Sequence, residues 1–304
     1  MTPTRRIATT LGAATVAVAL AACGSTPASP GNDGATGDAP VDKTITLGYI
    51  GSWTDGRSTA HLLENQLEQI GYTIEHEDVS EAGVLYTALA QGDVDIYPSA
   101  WPEVTHVKYM EEYGDRIEDL GAYYDNAKLT WAVPEYSEIQ SIEDIPEYAD
   151  VLGNRIIGIE PSAGLTDASQ NSVIPEYGLD SFELVTSSTT AMLAELKGAT
   201  DAEKEIVVTL WRPFWANSTF NMRDLDDPKG ALGEAEALHF LATKGFAEKH
   251  PEVADWIGQL EMDDQQYGSL EDLVVNQYEE GDEADAITAW LEANPNVLPE
   301  LPKA

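Results

Sequence analysis

Apolar and polar positions recur along this chain in two alternating periods. Residues 44–50 (TITLGYI) alternate well enough for a buried strand. Ala60, Leu63, Leu67 and Ile70 then follow helical spacing, with Ser58 placed to cap the helix and Gly71 to stop it. Residues 72–79 predict a second strand, 83–90 (GVLYTALA) a helix, and 94–97 a third strand that leads to Trp101. This order predicts a largely parallel sheet with ligands at the carboxyl ends of its strands. Residues 129–133 (LTWAV), closed by Pro134, read as a strand leaving this first lobe. The pattern then begins again. A strand over 155–159, a helix over 165–177 stopped by Gly178, a strand over 182–185, a helix capped by Ser188 and a strand over 205–210 lead to Trp211. From Glu234 onward the spacing reads as helical, in four short segments marked by Ala235, Leu238, Leu241 and Ala242, then Val253, Trp256 and Ile257, then Leu270, Leu273 and Val274, then Ala286, Ile287, Trp290 and Leu291. Trp256 and Trp290 lie in these stripes and are expected in the core, with the tail packed back on the first lobe.

The start of the chain follows another logic. Arg5 and Arg6 precede an apolar run too short to span a membrane comfortably, so residues 1–22 read as a secretory signal. The run ends in Leu20-Ala21-Ala22-Cys23, which resembles a bacterial lipobox, and Cys23 is the single cysteine. No intramolecular disulfide can form, and a lipid on Cys23 anchoring an exported protein to the outer face of the cell membrane accounts for the residue. Residues 23–43, rich in Gly, Pro, Ser, Asp and Ala, form a flexible tether. The chain beyond residue 43 is long enough for two domains of ordinary size.

Charge narrows the partners. With 54 acidic against 16 basic residues the formal charge is −38, which excludes nucleic acid, since a phosphate backbone needs a basic patch. Catalytic and metal signatures are also missing: there is no HExxH or other close His/Glu pairing that suggests zinc, no GxxxxGK, and no GxGxxG after a strand. Neither a metal nor a cofactor is expected. Glu160-Pro161-Ser162-Ala163-Gly164 approaches a nucleophile elbow but has Glu160 where the first Gly of GxSxG belongs, leaving a secreted serine hydrolase using Ser162 as a distant alternative.

Two other features point to binding. Trp101-Pro102 is expected at a strand-to-helix turn, because the residue before proline avoids the α region, and His106 comes five residues later. Residues 158–166 join a strand to a helix through small residues, so the N–H groups of Gly164 and Leu165 are free at a helix N-terminus, an anion site to which His106 can add a donor. Trp53, Trp101 and Trp211 complement it, since a cage of indoles holds a quaternary ammonium through cation–π attraction. A ligand with a methylated ammonium at one end and a carboxylate at the other is a betaine.

Over residues 44–291 the chain resembles the glycine betaine-binding lipoproteins of quaternary-ammonium ABC importers. The likeness is carried by GYIGSW (48–53), AWPEVTH (100–106), IIGIEPSAG (156–164), AMLAELKGA (191–199), IVVTLWRPFW (206–215) and DPKGALGEAE (227–236). The resemblance implies an α/β, two-lobed periplasmic-binding-protein fold of type II, each lobe a mostly parallel sheet flanked by helices, with the ligand in the interlobe cleft. Lobe 1 is expected over 44–130 plus 217–304, and lobe 2 over 131–216. By the resemblance, Trp53 and Trp101 from one lobe and Trp211 from the other form the cage, while Gly164, Leu165 and His106 hold the carboxylate. The implied protein is a non-enzymatic monomer that delivers glycine betaine to a membrane permease; choline, carnitine, proline betaine and ectoine are the alternative ligands. The family often has histidine where Phe214 stands here, in a pattern ending PHW, so Phe214 is given no ligand role and Arg212 is left open as a contact for a carboxylate or for the permease.

Overall fold

The nine strands found among the described residues form one connected arrangement. They are β1 (Thr44–Tyr49), β2 (Thr73–Asp78), β3 (Ile96–Ala100), β4 (Ile117–Pro134), β5 (Arg155–Ile157), β6 (Glu183–Val185), β7 (Val208–Arg212), β8 (Met222–Asp224) and β9 (Glu236–Thr243). Their order is β2-β1-β3-β9-β4-β7-β5-β6, with β8 paired to β4 outside that path. The computed structural model describes residues 43–303, so the expectations for residues 1–22 and for Cys23 lie outside the described residues.

Parallel pairing holds where strands alternate with helices, in β1 with β2 and β3, and in β5 with β6 and β7. Short crossover helices explain this, since parallel neighbours need a long connection. β4 and β9 instead run antiparallel to their neighbours. β4 is the long member, 18 residues. Its residues from Ile117 to Ala127 pair with β9, and those from Lys128 to Pro134 pair with β7 and β8. One continuous strand therefore belongs to both halves of the sheet.

Three helices flank the first half: α1 (Thr54–Gln69), α2 (Ala82–Gln91) and α3 (Val107–Tyr113). The expected helix over 165–177 is present as a continuous helical stretch from Gly164 to Tyr177 with a wider turn over Ser169–Val173, and Gly178 ends it in the left-handed conformation. Ser188 caps Thr189–Asp201 by accepting a hydrogen bond from the Ala191 N–H.

Two expectations are corrected. Ser58 does not cap α1; the helix begins four residues earlier, at Thr54, with Trp53 at the N-cap position and Ser58 buried inside it. The Trp53 N–H closes a turn onto the Ile50 carbonyl directly after β1, leaving no room for a longer loop. Residues 236–243 are a strand, not a helix. Leu238, Phe240 and Ala242 alternate inward and are fully buried, and the slot between β3 and β4 is filled by this segment.

The remaining tail is helical, over Pro251–Ile257, Asp264–Asp272 and Glu283–Ala293. Trp256 and Trp290 are buried in the core. The tail packs on the first half, where Arg57 of α1 pairs with Glu283 and Thr54 donates to the Glu271 carboxylate.

Candidate functional site

All six residues expected to bind a ligand, Trp53, Trp101, His106, Gly164, Leu165 and Trp211, line one pocket. Asp55, Thr105, Leu129, Ile159 and Ala163 complete the lining. The pocket lies at carboxyl ends of β1 and β3 on one side and at β7 and the Gly164 helix start on the other.

Each side chain is held by its local fold. Trp53 donates its indole N–H to Glu160 at 3.0 Å. The same carboxylate accepts from the N–H and hydroxyl of Thr189, both at 2.8 Å, and from Ser52 at 3.3 Å. Glu160, the residue that breaks the elbow pattern, thus fixes an indole from the opposite half. Trp101 donates its indole N–H to Asp55 at 3.3 Å, and Ser99 donates to the same carboxylate oxygen at 2.8 Å. Trp211 lies within β7, paired with Leu129, and its ring stacks on Phe214 with centroids 4.1 Å apart. Phe214 does not line the pocket but supports the indole that does. Arg212 is occupied too, through two hydrogen bonds from Nε to the Asp224 carboxylate, and does not line the pocket.

The loop from Trp101 to His106 closes on itself. The His106 N–H donates to the Trp101 carbonyl at 2.8 Å, and the Trp101 N–H donates to His106 Nδ1 at 3.3 Å. The buried Glu236 carboxylate at the start of β9 accepts three successive N–H groups, from Glu103, Val104 and Thr105, and so pins the loop. Since a backbone N–H can only donate, Nδ1 of His106 must hold its lone pair, and the neutral ring carries its proton on Nε2. Burial, with a smaller push from the nearby Lys108 charge, brings the His106 imidazole down to about 3. His106 is therefore a neutral donor.

The aromatic rings are spaced as walls. Trp53 and Trp211 have centroids 6.4 Å apart at 59°, and Trp53 and His106 lie 6.2 Å apart and nearly parallel. A cation is attracted to a ring face when it lies within about 6 Å of the centroid, and the indoles of Trp53, Trp101 and Trp211 all border this one pocket. Asp55, 3% exposed, is the one acidic side chain in the lining. Burial raises its carboxyl above the ordinary range, while hydrogen bonds from Ser99 and Trp101 oppose the shift. On the other wall, Ala163 occupies the N-cap position with no side chain able to cap, so the Gly164 and Leu165 N–H groups of the first turn have no intrahelical acceptor.

Sequence reasoning misses Asp55, Glu160 and Glu236. The sequence pattern leaves Asp55 in a loop beyond β1, and only the early start of α1 turns it inward; a carboxylate two residues from a cage tryptophan is the available signal.

The two halves touch around the pocket. Tyr109 donates to the Ser162 carbonyl at 2.7 Å, Ser162 donates to Glu81 at 2.5 Å, and Lys108 pairs with Asp167 at 3.1 Å. Gly164 packs on Thr105 so closely that a Cβ there would lie 2.2 Å from the Thr105 carbonyl oxygen. Ser162 has hydrogen bonds to Glu81 and Gly83, and none to a histidine among the described residues. Nor is any helix of the described residues long and apolar enough to cross a membrane.

Comparison with known proteins places this geometry. The profile of the substrate-binding domain of ABC-type glycine betaine transport systems matches residues 43–293. A glycine betaine/carnitine transport binding protein of Listeria monocytogenes is 36% identical over 155 residues, 49% of this chain and 49% of that protein, so the match spans about half the length of the curated relative. Among solved structures, the glycine betaine/L-proline-binding protein of Borrelia burgdorferi is similar with a TM-score of 0.77 at 29% identity, covering 85% of this chain and 97% of that one. A lactococcal binding protein, closed and complexed with glycine betaine, gives 0.76 at 27% identity over 83% of this chain and 96% of its own. An ABC-transporter choline-binding protein in complex with choline gives 0.74 at 26% over 85% and 91%. The matched profile covers most of the chain, from the residue before β1 to the last helix, and the chain belongs to the family of substrate-binding domains of ABC-type glycine betaine transport systems.

Proposed function

We propose that this protein captures glycine betaine, or a close quaternary-ammonium relative, outside the cell and presents it to the permease of an ABC importer. The observation that carries the reading is the pocket itself. Three indoles and a buried carboxylate lie beside a neutral histidine donor and two uncapped helix N–H groups. The cage and Asp55 would take the methylated ammonium, and His106 Nε2 with the Gly164 and Leu165 N–H groups would take the carboxylate.

Two lobes, 44–130 plus 217–304 and 131–216, would close around the ligand as hinged units, with β4 running between them. No covalent step is required, so the protein acts as a monomeric carrier and not as an enzyme. Export by the signal at 1–22 and a lipid on Cys23 would keep it at the outer face of the cell membrane beside its permease.

Choline is the second reading, and Asp55 favours it. A buried carboxylate matches a ligand of net positive charge better than a zwitterion, unless the other wall receives a carboxylate. Isothermal titration with glycine betaine and with choline, read together with tryptophan fluorescence, decides between them. Tight betaine binding, weak choline binding and a changed indole signal are expected. The reverse order of affinities would establish choline, and heat from neither ligand would remove the assignment.

A further inference from the structure

Away from the pocket, α1 and β2 bring three metal-ligand side chains together. His61 and Glu64 stand three residues apart on one face of α1, and β2, paired in parallel with β1, adds His76 opposite Leu47. The ligand atoms of the three side chains all lie within 4.8 Å of one another. His61 Nδ1 is 2.9 Å and His76 Nε2 is 3.2 Å from the same oxygen, Glu64 Oε2. The imidazoles are stacked with centroids 4.7 Å apart. Zinc bond lengths of about 2.0–2.2 Å imply ligand-to-ligand edges of roughly 3.3 Å in a tetrahedron, so two edges already have nearly that length.

The hydrogen bonds point the same way. His76 Nδ1 is engaged by the Tyr49 hydroxyl at 3.1 Å, while Nε2 is buried and has no hydrogen-bond partner, its approach to Glu64 being misaligned for one. A hydrogen bond on one ring nitrogen, with the other nitrogen turned toward the remaining ligands, is how metal-bound histidines are held. Side-chain exposures of 16, 30 and 21% for His61, Glu64 and His76 place the cluster near the protein surface. None of the three lines the pocket.

We propose that His61, Glu64 and His76 bind a divalent transition ion of the zinc class, with water completing its coordination. Two imidazoles and one carboxylate suit such ions, whereas calcium and magnesium prefer oxygen alone. The ion would clamp α1, whose N-terminus carries Trp53 and Asp55, to the outermost strand. The His-x-x-Glu spacing at 61–64 carries no zinc signature by itself; the parallel β1/β2 pairing supplies the third ligand.

So acidic a chain attracts divalent cations through its surface, and the test has to suppress that background. The untagged protein at pH 7.5 in millimolar Mg2+ is titrated with Co2+, followed by its visible d–d absorption, and then with Zn2+ by calorimetry. Saturation at one ion per chain is expected, with Zn2+ displacing Co2+ and raising the Tm. His61→Ala and His76→Gln should each weaken binding at least tenfold and abolish the Tm gain. Circular dichroism checks that the variants fold, and His76→Gln keeps a polar group for Tyr49. Absence of saturable uptake in Mg2+, or undiminished affinity in folded His76→Gln, overturns the site.

Discussion

An indole serves a cation best when its ring is fixed and its face left open. Trp53 and Trp101 meet both conditions because each donates its N–H to a buried carboxylate, Glu160 or Asp55, which also pushes electron density toward the ring face. Asp55 also brings its carboxyl group into the pocket lining itself, where burial raises it above the ordinary range. Asp55→Asn should keep the Ser99 and Trp101 geometry in part but weaken both betaine and choline by tenfold or more, about 1.4 kcal/mol, in isothermal titration. Unchanged affinity for both ligands would show that the carboxylate only positions the indole. His106 acts at the other end of the ligand. With its imidazole held down at about 3 it stays neutral through the physiological range and donates from Nε2 without titrating. His106→Ala is therefore expected to weaken betaine severalfold while leaving choline, which has no carboxylate, almost unaffected. Equal losses for the two ligands would contradict that role.

At the scale of elements, closure depends on how near two backbones can come. The helix beginning at Gly164 meets the Trp101–His106 loop at Thr105, and any Cβ at Gly164 would lie 2.5 Å from Thr105 Cγ2 as well as against its backbone carbonyl. Contacts under about 3 Å cannot be absorbed by backbone on both sides. Gly164→Ala should lower betaine affinity at least tenfold and abolish ligand-induced compaction in small-angle scattering; native affinity would remove the steric argument. The same scale explains what sequence can show. The strands and helices that the pattern predicts before residue 234 are legible because each carries one clear period and its own stop, such as Gly178, whereas α3, β8 and the part of β4 before residue 129 carry no such period and are not predicted. The segment 236–243 is not, because Leu238, Leu241 and Ala242 fit a helical stripe while Leu238, Phe240 and Ala242 fit a strand, and eight residues cannot separate the two. Pairing with β3 and β4 decides it. The cage tryptophans stand out by position near strand ends, whereas Asp55, Glu160 and Glu236 act through partners 46, 107 and 131 or more residues away, which no local pattern encodes.

For the whole molecule, the acidic excess reaches the interior, and there it couples folding to pH. Glu271, buried on the helix Asp264–Asp272 with Thr54 donating to it, is pushed up to about 8, chiefly by burial and further by the nearby Asp55 charge. In the unfolded chain the same carboxyl titrates near 4.3. Between those values the folded protein binds one more proton than the unfolded chain. The stability tied to this group is thus fully present below the unfolded value and is lost as pH rises through the folded one, at no more than about 1.4 kcal/mol per pH unit. Glu271→Gln keeps a hydrogen-bonding amide opposite Thr54 and removes the titration. Its Tm should match the native protein near pH 5 and exceed it increasingly toward pH 8, on the order of 2–4 °C for each kcal/mol regained. Parallel Tm curves for the two proteins across that window would mean that Glu271 is ionised in the folded state. In that case Glu271 would add a buried negative charge to the carboxylates of Asp55 and Glu160 that hold the two indoles, and the attraction for a quaternary ammonium would be larger than those two provide.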